Sequence, residues 1–217
     1  MLGNRHVFWQ AFVVASVIFW LGILIGANFE RSRVETVEDF YFDSQSDVLD
    51  FELSSNIFTN LEFDCNTLNE KGILLADKIY AEALKLEKYD NSNKLTKELI
   101  SLHRRYDILR TSLWMDLVSS KEKCSDKINT IIYFYQYRNP SLTTRANQGT
   151  MSNFLIDLKA KYGDKIILIP IAVDTNVESL NSLREYYKLN TIPVVFVNEK
   201  YKFENIESLK DIEKYLI

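Results

Sequence analysis

Residues 128–217 alternate between short apolar runs and helix-like segments, and this alternation narrows the folds open to the chain. The first run, Ile131-Ile132-Tyr133-Phe134-Tyr135, belongs to a strand expected over Ile128–Tyr135. A loop, Gln136–Leu142, leads to a helix from about Thr143 to Lys161, with Met151, Phe154, Leu155 and Leu158 on its inner face. Tyr162-Gly163-Asp164 ends that helix, glycine being suited to a helix C-terminus. Ile166–Val173 is nearly continuous in apolar character, which suits a strand covered on both faces. Pro170 has no N–H for a ladder and implies an edge position or a bulge. Thr175-Asn176-Val177-Glu178 fits a capping box that starts the next helix, ending near Lys188. Pro193–Asn198 and Glu199–Phe203 read as two further strands, and Asn205 caps a last helix through Leu216. The order βαβαββα implies a parallel first pair, joined by a right-handed crossover, and an antiparallel second pair. Residues 126–217 are thus an α/β domain.

The other end of the chain answers to a different solvent. Val7–Ala27 is a run of 21 residues without charge, in which Gln10 and Ser16 are the plainly polar side chains. About 20 apolar residues, at roughly 1.5 Å rise each, cross a hydrocarbon core of about 30 Å. A cleaved signal peptide is the rival, but its apolar region is normally about 7–15 residues, and no Ala-x-Ala-like site or lipobox cysteine follows. Residues 1–29 are therefore expected to be an uncleaved signal anchor, with the membrane as partner through Val7–Ala27. Gly22 and Gly26 are spaced to let two helix backbones approach as a homodimer, or simply reflect how common small residues are in membrane helices. Orientation is not settled by charge: Arg5 and the chain amine face Arg31 and Arg33 across the span.

The formal net charge is −4, and Arg5 is the lone formally charged side chain before Glu30, so the portion after residue 29 carries −5. Mild acidity argues against nucleic acid as a partner. Residues 30–64 are acidic and rich in aromatics. Val34, Val37, Phe40 and Tyr41 recur at helical spacing, so the membrane helix could continue as a stalk. From Ser46 to Phe63, Val48, Leu49, Phe51, Leu53, Ile57, Phe58, Leu61 and Phe63 must bury against something, in a short helix or irregular packing segment.

Residues 65–125 read as a helical hairpin. Asn66 or Thr67 can cap a helix with Ile73, Leu74, Ile79, Tyr80, Ala83, Leu84 and Leu86 as its apolar positions, recurring at three and four residues. The polar turn Tyr89–Asn93 follows. A second helix, about Lys94–Ser120, carries Leu95, Leu99, Leu102, Tyr106, Leu109, Leu113, Trp114 and Leu117 on one face. Helices joined by a short loop lie antiparallel, which brings Cys65, just before the first, to Cys124, just after the second. A disulfide between them would close a loop of about 60 residues and stabilise by about 2–4 kcal/mol. It would also point to an oxidising compartment outside the cytoplasm. Two free buried thiols, or a redox-active pair, are the other readings; active pairs are usually close in sequence at a helix N-terminus.

The strand-loop-helix start Tyr133-Phe134-Tyr135-Gln136-Tyr137-Arg138-Asn139-Pro140-Ser141-Leu142, together with Ile192-Pro193, resembles the thioredoxin superfamily over about residues 126–217. The whole chain is also similar to a group of archaeal membrane-anchored proteins with a cysteine-bounded hairpin before a thioredoxin-like domain. The resemblance puts Asn139, Pro140, Ser141 and Leu142 at or near the place of the family's Cys-x-x-Cys, and neither thiol is present. Thiol–disulfide exchange needs an attacking thiolate, and the Ser141 hydroxyl is no substitute. The resemblance also implies that Pro193 follows a cis bond, and that the backbone at Ile192 could pair with an extended peptide as an added strand. The blander reading is that Ile192-Pro193 merely fixes loop geometry.

Other candidates are thin. His6 sits beside the membrane span, and His103-Arg104-Arg105 reads as a solvated helix face. Two histidines and two cysteines so dispersed make no metal site; no cofactor is expected. The expectation is a membrane-anchored, extracytoplasmic, non-catalytic thioredoxin-like protein that binds or scaffolds a peptide or protein partner. The alternatives are an envelope thiol–disulfide oxidoreductase using Cys65 and Cys124, and a purely structural envelope protein.

Overall fold

The computed structural model describes residues 7–28, 49–50, 53–54, 56–57, 64–90, 97–124 and 128–216, with the backbone alone described for 82–90 and 97–98. The chain divides into two units, Met1–Asp47 and Val48–Ile217. In the first, helix α1 (Val7–Asn28) has 22 residues and is long and apolar enough to cross a membrane. Its apolar side chains are exposed, as a helix bathed in lipid would leave them. A Cβ built at Gly22 or Gly26 would meet nothing within 4 Å. The stalk positions Val34, Val37, Phe40 and Tyr41 lie outside the described residues.

The second unit opens with a hairpin, α2 (Cys65–Asp90) and α3 (Lys97–Lys123). Its cap lies two residues before Asn66, the earlier of the two candidates in the sequence. The Asp64 carboxylate accepts the N–H groups of Asn66 and Thr67, both at 3.1 Å, and so satisfies two orphan donors of the first turn. On α3, Leu99, Leu102, Tyr106, Leu109, Leu113, Trp114 and Leu117 are all buried. The hairpin closes through a Cys65–Cys124 disulfide, with Cα atoms 5.7 Å apart. α3 packs on both α2 and the sheet, whereas α2 meets the sheet at the edge strand β2, and α2 is less buried: Ile79 is covered, but Leu74 and Tyr80 are exposed. Leu49, Leu53 and Ile57 are likewise exposed rather than buried. Their segment is tied to α2 by an Asp50–Lys78 ion pair at 3.6 Å instead. Val48, Phe51, Phe58, Leu61, Phe63 and Leu95 lie outside the described residues.

Strands β1 (Asn129–Tyr135), β2 (Ile166–Ala172), β3 (Val194–Val197) and β4 (Tyr201–Phe203) form one sheet in the order β2-β1-β3-β4. β1–β2 is parallel, and β1–β3 and β3–β4 are antiparallel. Helix α4 (Leu142–Tyr162) joins β1 to β2, α5 (Glu178–Tyr186) joins β2 to β3, and α6 (Leu209–Glu213) ends the fold. Side chains alternate across a strand. Ile131 and Tyr133 therefore pack with Leu155 and Leu158 of α4 and Ile212 of α6 on one face. Phe134, on the other face, meets the edge of Trp114 from α3 and of Phe196. α4 stops where Gly163 takes φ 55°, a left-handed value that glycine adopts without a side-chain clash.

Two further helix starts differ from the sequence reading. The Thr175 hydroxyl does not cap α5; it donates to Asp107 Oδ2 at 2.9 Å, and the cap position falls on Val177. Asn205 does not cap α6 either. Ser208 and Asp211 form the capping box three residues later.

β2 is an edge strand, as Pro170 implies. Val173 N–H donates inward to Tyr135 O, so by alternation Ile166, Leu168, Pro170 and Ala172 turn their backbone groups outward. That edge is blunted. Lys159 Nζ donates to Ile166 O at 3.0 Å, Pro170 has no N–H, and Ala172 N–H donates to Asp107 Oδ1 at 3.0 Å. An edge so occupied is a poor template for another strand.

Candidate functional site

Strand register defines one end of the sheet. Tyr135 pairs with Ala172 and Phe134 with Val194. The loop Gln136–Leu142, the turn Val173–Thr175 and the dipeptide Ile192-Pro193 therefore share that end. The Ile192–Pro193 peptide bond is cis.

The loop after β1 is clamped from three sides. The Asp174 carboxylate accepts Tyr137 N–H at 2.9 Å and Arg138 N–H at 2.7 Å. From α4, the Gln148 amide pairs twice with Gln136, accepting its N–H at 3.1 Å and donating to its carbonyl at 3.0 Å. From α3, the His103 ring stacks on Tyr137 with centroids 3.7 Å apart. Ser141 Oγ accepts Thr144 N–H at 3.1 Å and is hydrogen-bonded to Thr144 Oγ1 at 2.8 Å. Its hydroxyl serves as the N-cap of α4. The next residue, Leu142, is 86% exposed. The loop thus offers a fixed backbone and one projecting apolar side chain, with no sulfur.

His103 is not on a solvated face. It is buried because it extends the Leu99–Leu102–Tyr106 stripe by helical spacing. Arg104 is exposed and Arg105 half-buried. His6 lies outside the described residues.

One helical turn beyond His103 is Asp107, fully buried on α3. It accepts Ala172 N–H and the Thr175 hydroxyl, and lies 3.6 Å from Arg110 Nη1. Burial pushes its carboxyl up to about 6, while Arg110, these hydrogen bonds and His103 pull the other way. Asp107, Asp174 and Gln148 carry the site's geometry, and none stands out in sequence. The one available signal is Asp174's place directly after an apolar strand, where loop-holding carboxylates are useful.

The disulfide lies at the opposite end of the sheet. Lys121, one turn before Cys124, donates to Thr130 Oγ1 at 2.6 Å and Asn198 Oδ1 at 3.2 Å, and pairs with Glu199 at 3.1 Å. Thr130 is in the first pair of residues of β1, and Asn198 follows β3. The stretch of β1 from Thr130 to Tyr135, about 17 Å at roughly 3.3 Å per residue, separates this cluster from the level of Pro193.

No family model matches the chain, and no curated protein does. Among solved structures, a malarial protein is 20% identical, covering 42% of this chain and 99% of its own, at a TM-score of 0.31. The germline-specific thioredoxin Deadhead of Drosophila melanogaster is 18% identical, covering 48% of this chain and 94% of its own, at a TM-score of 0.32. At these scores the neighbours say nothing about function, and neither comparison supports the archaeal likeness.

Proposed function

We propose that the chain is a single-pass membrane protein whose extracytoplasmic part is a redox-inactive thioredoxin-like module that binds an extended peptide or a membrane partner. One observation carries this reading. The Ile192-Pro193 dipeptide and the sulfur-free loop Asn139–Leu142 share one end of the sheet, while the Cys65–Cys124 bridge is at the other. The element order β1-α4-β2-α5-β3-β4-α6 supports the thioredoxin-like reading. α1 supports the anchor, and a disulfide favours a compartment outside the reducing cytosol. Strand addition at Ile192 needs backbone groups alone, so it survives the loss of thiols.

The oxidoreductase reading has one observation in its favour, the exposure of Cys65. Against it, the bridge stands far from the clamped loop and Pro193, where an incoming peptide would lie.

Two measurements test the proposal on the full chain. A reporter fused after Ile217 should be active outside the cytoplasm. Titration of the isotope-labelled protein with an extended peptide should shift amide signals at Thr191, Ile192, Asn139, Ser141 and Leu142. A cytoplasmic reporter, or shifts confined to residues around Cys65 and Cys124, would overturn it.

A further inference from the structure

All six arginines of residues 48–217 sit on elements that meet at the Pro193 end of the sheet. Arg104 and Arg105 follow His103, whose ring covers Tyr137. Arg110 pairs with Asp107, which is bonded to Ala172. Arg138 is in the clamped loop and Arg145 in the first turn of α4. Arg184 Nη1 donates to Val173 O at 3.3 Å. The whole unit is close to neutral, at −1. Arg104 and Arg145 are exposed and Arg138 is half-buried. The nearby carboxylates are largely committed, Asp107 to its buried network and Asp174 to two backbone amides. Glu178, in the first turn of α5, and Glu204, which accepts from Thr191 and pairs with Lys202 at 2.9 Å, are exposed acids on this side.

A guanidinium presents its donors in a fork that matches carboxylate oxygens. We infer that the partner at this end is an acidic, extended polypeptide. Its backbone lies along Ile192 and Pro193, an apolar side chain rests on Leu142, and its carboxylates meet Arg104, Arg138 and Arg145. The inference rests on the peptide-binding reading above and names the class of peptide. A single-stranded nucleic acid fits less well, since such sites pair a cationic groove with open aromatic faces, and the face of Tyr137 is covered by His103.

The test uses the full chain in nanodiscs and fluorescence anisotropy with short labelled peptides of alternating Glu and Val, and of alternating Gln and Val. An oligothymidylate of matched length is the third probe. The Glu–Val peptide should bind about tenfold more tightly than Gln–Val, from a few exposed pairs acting together. The advantage should shrink as salt rises. The double variant Arg104→Gln/Arg145→Gln changes two exposed side chains and should bring Glu–Val to the Gln–Val level with an unchanged unfolding midpoint. Equal affinity for both peptides, an undiminished Glu–Val preference in the double variant, or tighter binding of the oligothymidylate would each overturn the inference. If neither peptide binds, the peptide-binding reading fails and the inference with it.

Discussion

Cys124 and Pro193 stand at opposite ends of β1. Lys121, one turn before Cys124, bonds Thr130 near the start of the strand, and Val194, the residue after Pro193, pairs with Phe134 near its finish. The bridge therefore belongs to the junction between hairpin and sheet, and the cis-proline to the end where the clamped loop lies. Each end makes its own testable demands.

At the junction, the disulfide spans 59 residues of sequence. Cys65→Ser/Cys124→Ser should lower stability by about 2–4 kcal/mol through the longer-ranging unfolded chain, read as a fall in the denaturation midpoint. Tryptophan fluorescence in the absence of denaturant should stay native, because Trp114 Nε1 still donates to Glu199 at 3.2 Å and packs on Phe134. An unchanged midpoint would remove the bridge's structural role.

Lys121 fastens α3 to the β3–β4 turn, where Asn198 and Glu199 both adopt positive φ. Its ammonium meets Thr130, Asn198 and Glu199, and its side chain is 22% exposed. Lys121→Met should cost about 1–3 kcal/mol, because the Glu199 carboxylate loses its ammonium partner in a partly buried place. Restoring much of that stability with the companion change Glu199→Gln would assign the loss to the stranded carboxylate.

Asp107 gives the fold a pH signature of defined sign. Its carboxyl is raised from 3.8 to about 6, chiefly by burial. The folded state therefore holds this proton more tightly than the unfolded state. The contribution is fully present below about pH 4, and is lost as pH rises through about 6, on the order of 3 kcal/mol. Asp107→Asn cannot titrate, so the difference in unfolding free energy between wild type and variant should change between pH 4 and pH 6 and level off above that range. A constant difference across the range would contradict the buried, proton-holding carboxylate.

Asp174 holds Tyr137 and Arg138 by their amides. Asp174→Ala should speed hydrogen exchange at those two amides by about tenfold or more, since each loses a charge-assisted bond of roughly 1.5–3 kcal/mol. Amides of β1 proper should keep their protection. If exchange at Tyr137 stays slow, the loop is held by Gln148 and His103 alone.

The sequence showed some of this plainly and hid the rest for physical reasons. The α3 stripe from Leu99 to Leu117 was visible because helical periodicity survives wherever one face is buried. The meeting of Cys65 and Cys124 was visible because antiparallel helices return the chain to its start. Pro170 marked an edge or a bulge because it lacks a donor, and β2 is an edge strand. By contrast, His103 looked solvated beside two arginines, yet a polar ring can occupy a buried stripe when it stacks on a partner such as Tyr137, and that partner is remote in sequence. Thr175 carried a plausible capping pattern, but Asp107 competes for its hydroxyl from another helix. The clamps by Asp174 and Gln148 join residues brought together by the sheet, so no local spacing announces them.

The most direct test is an insulin-reduction assay on the purified full chain, with mass spectrometry of the Cys65–Cys124 linkage before and after. We predict no turnover above background and a bridge that remains intact throughout. Turnover that disappears in Cys65→Ser would contradict a sulfur-free role for the module.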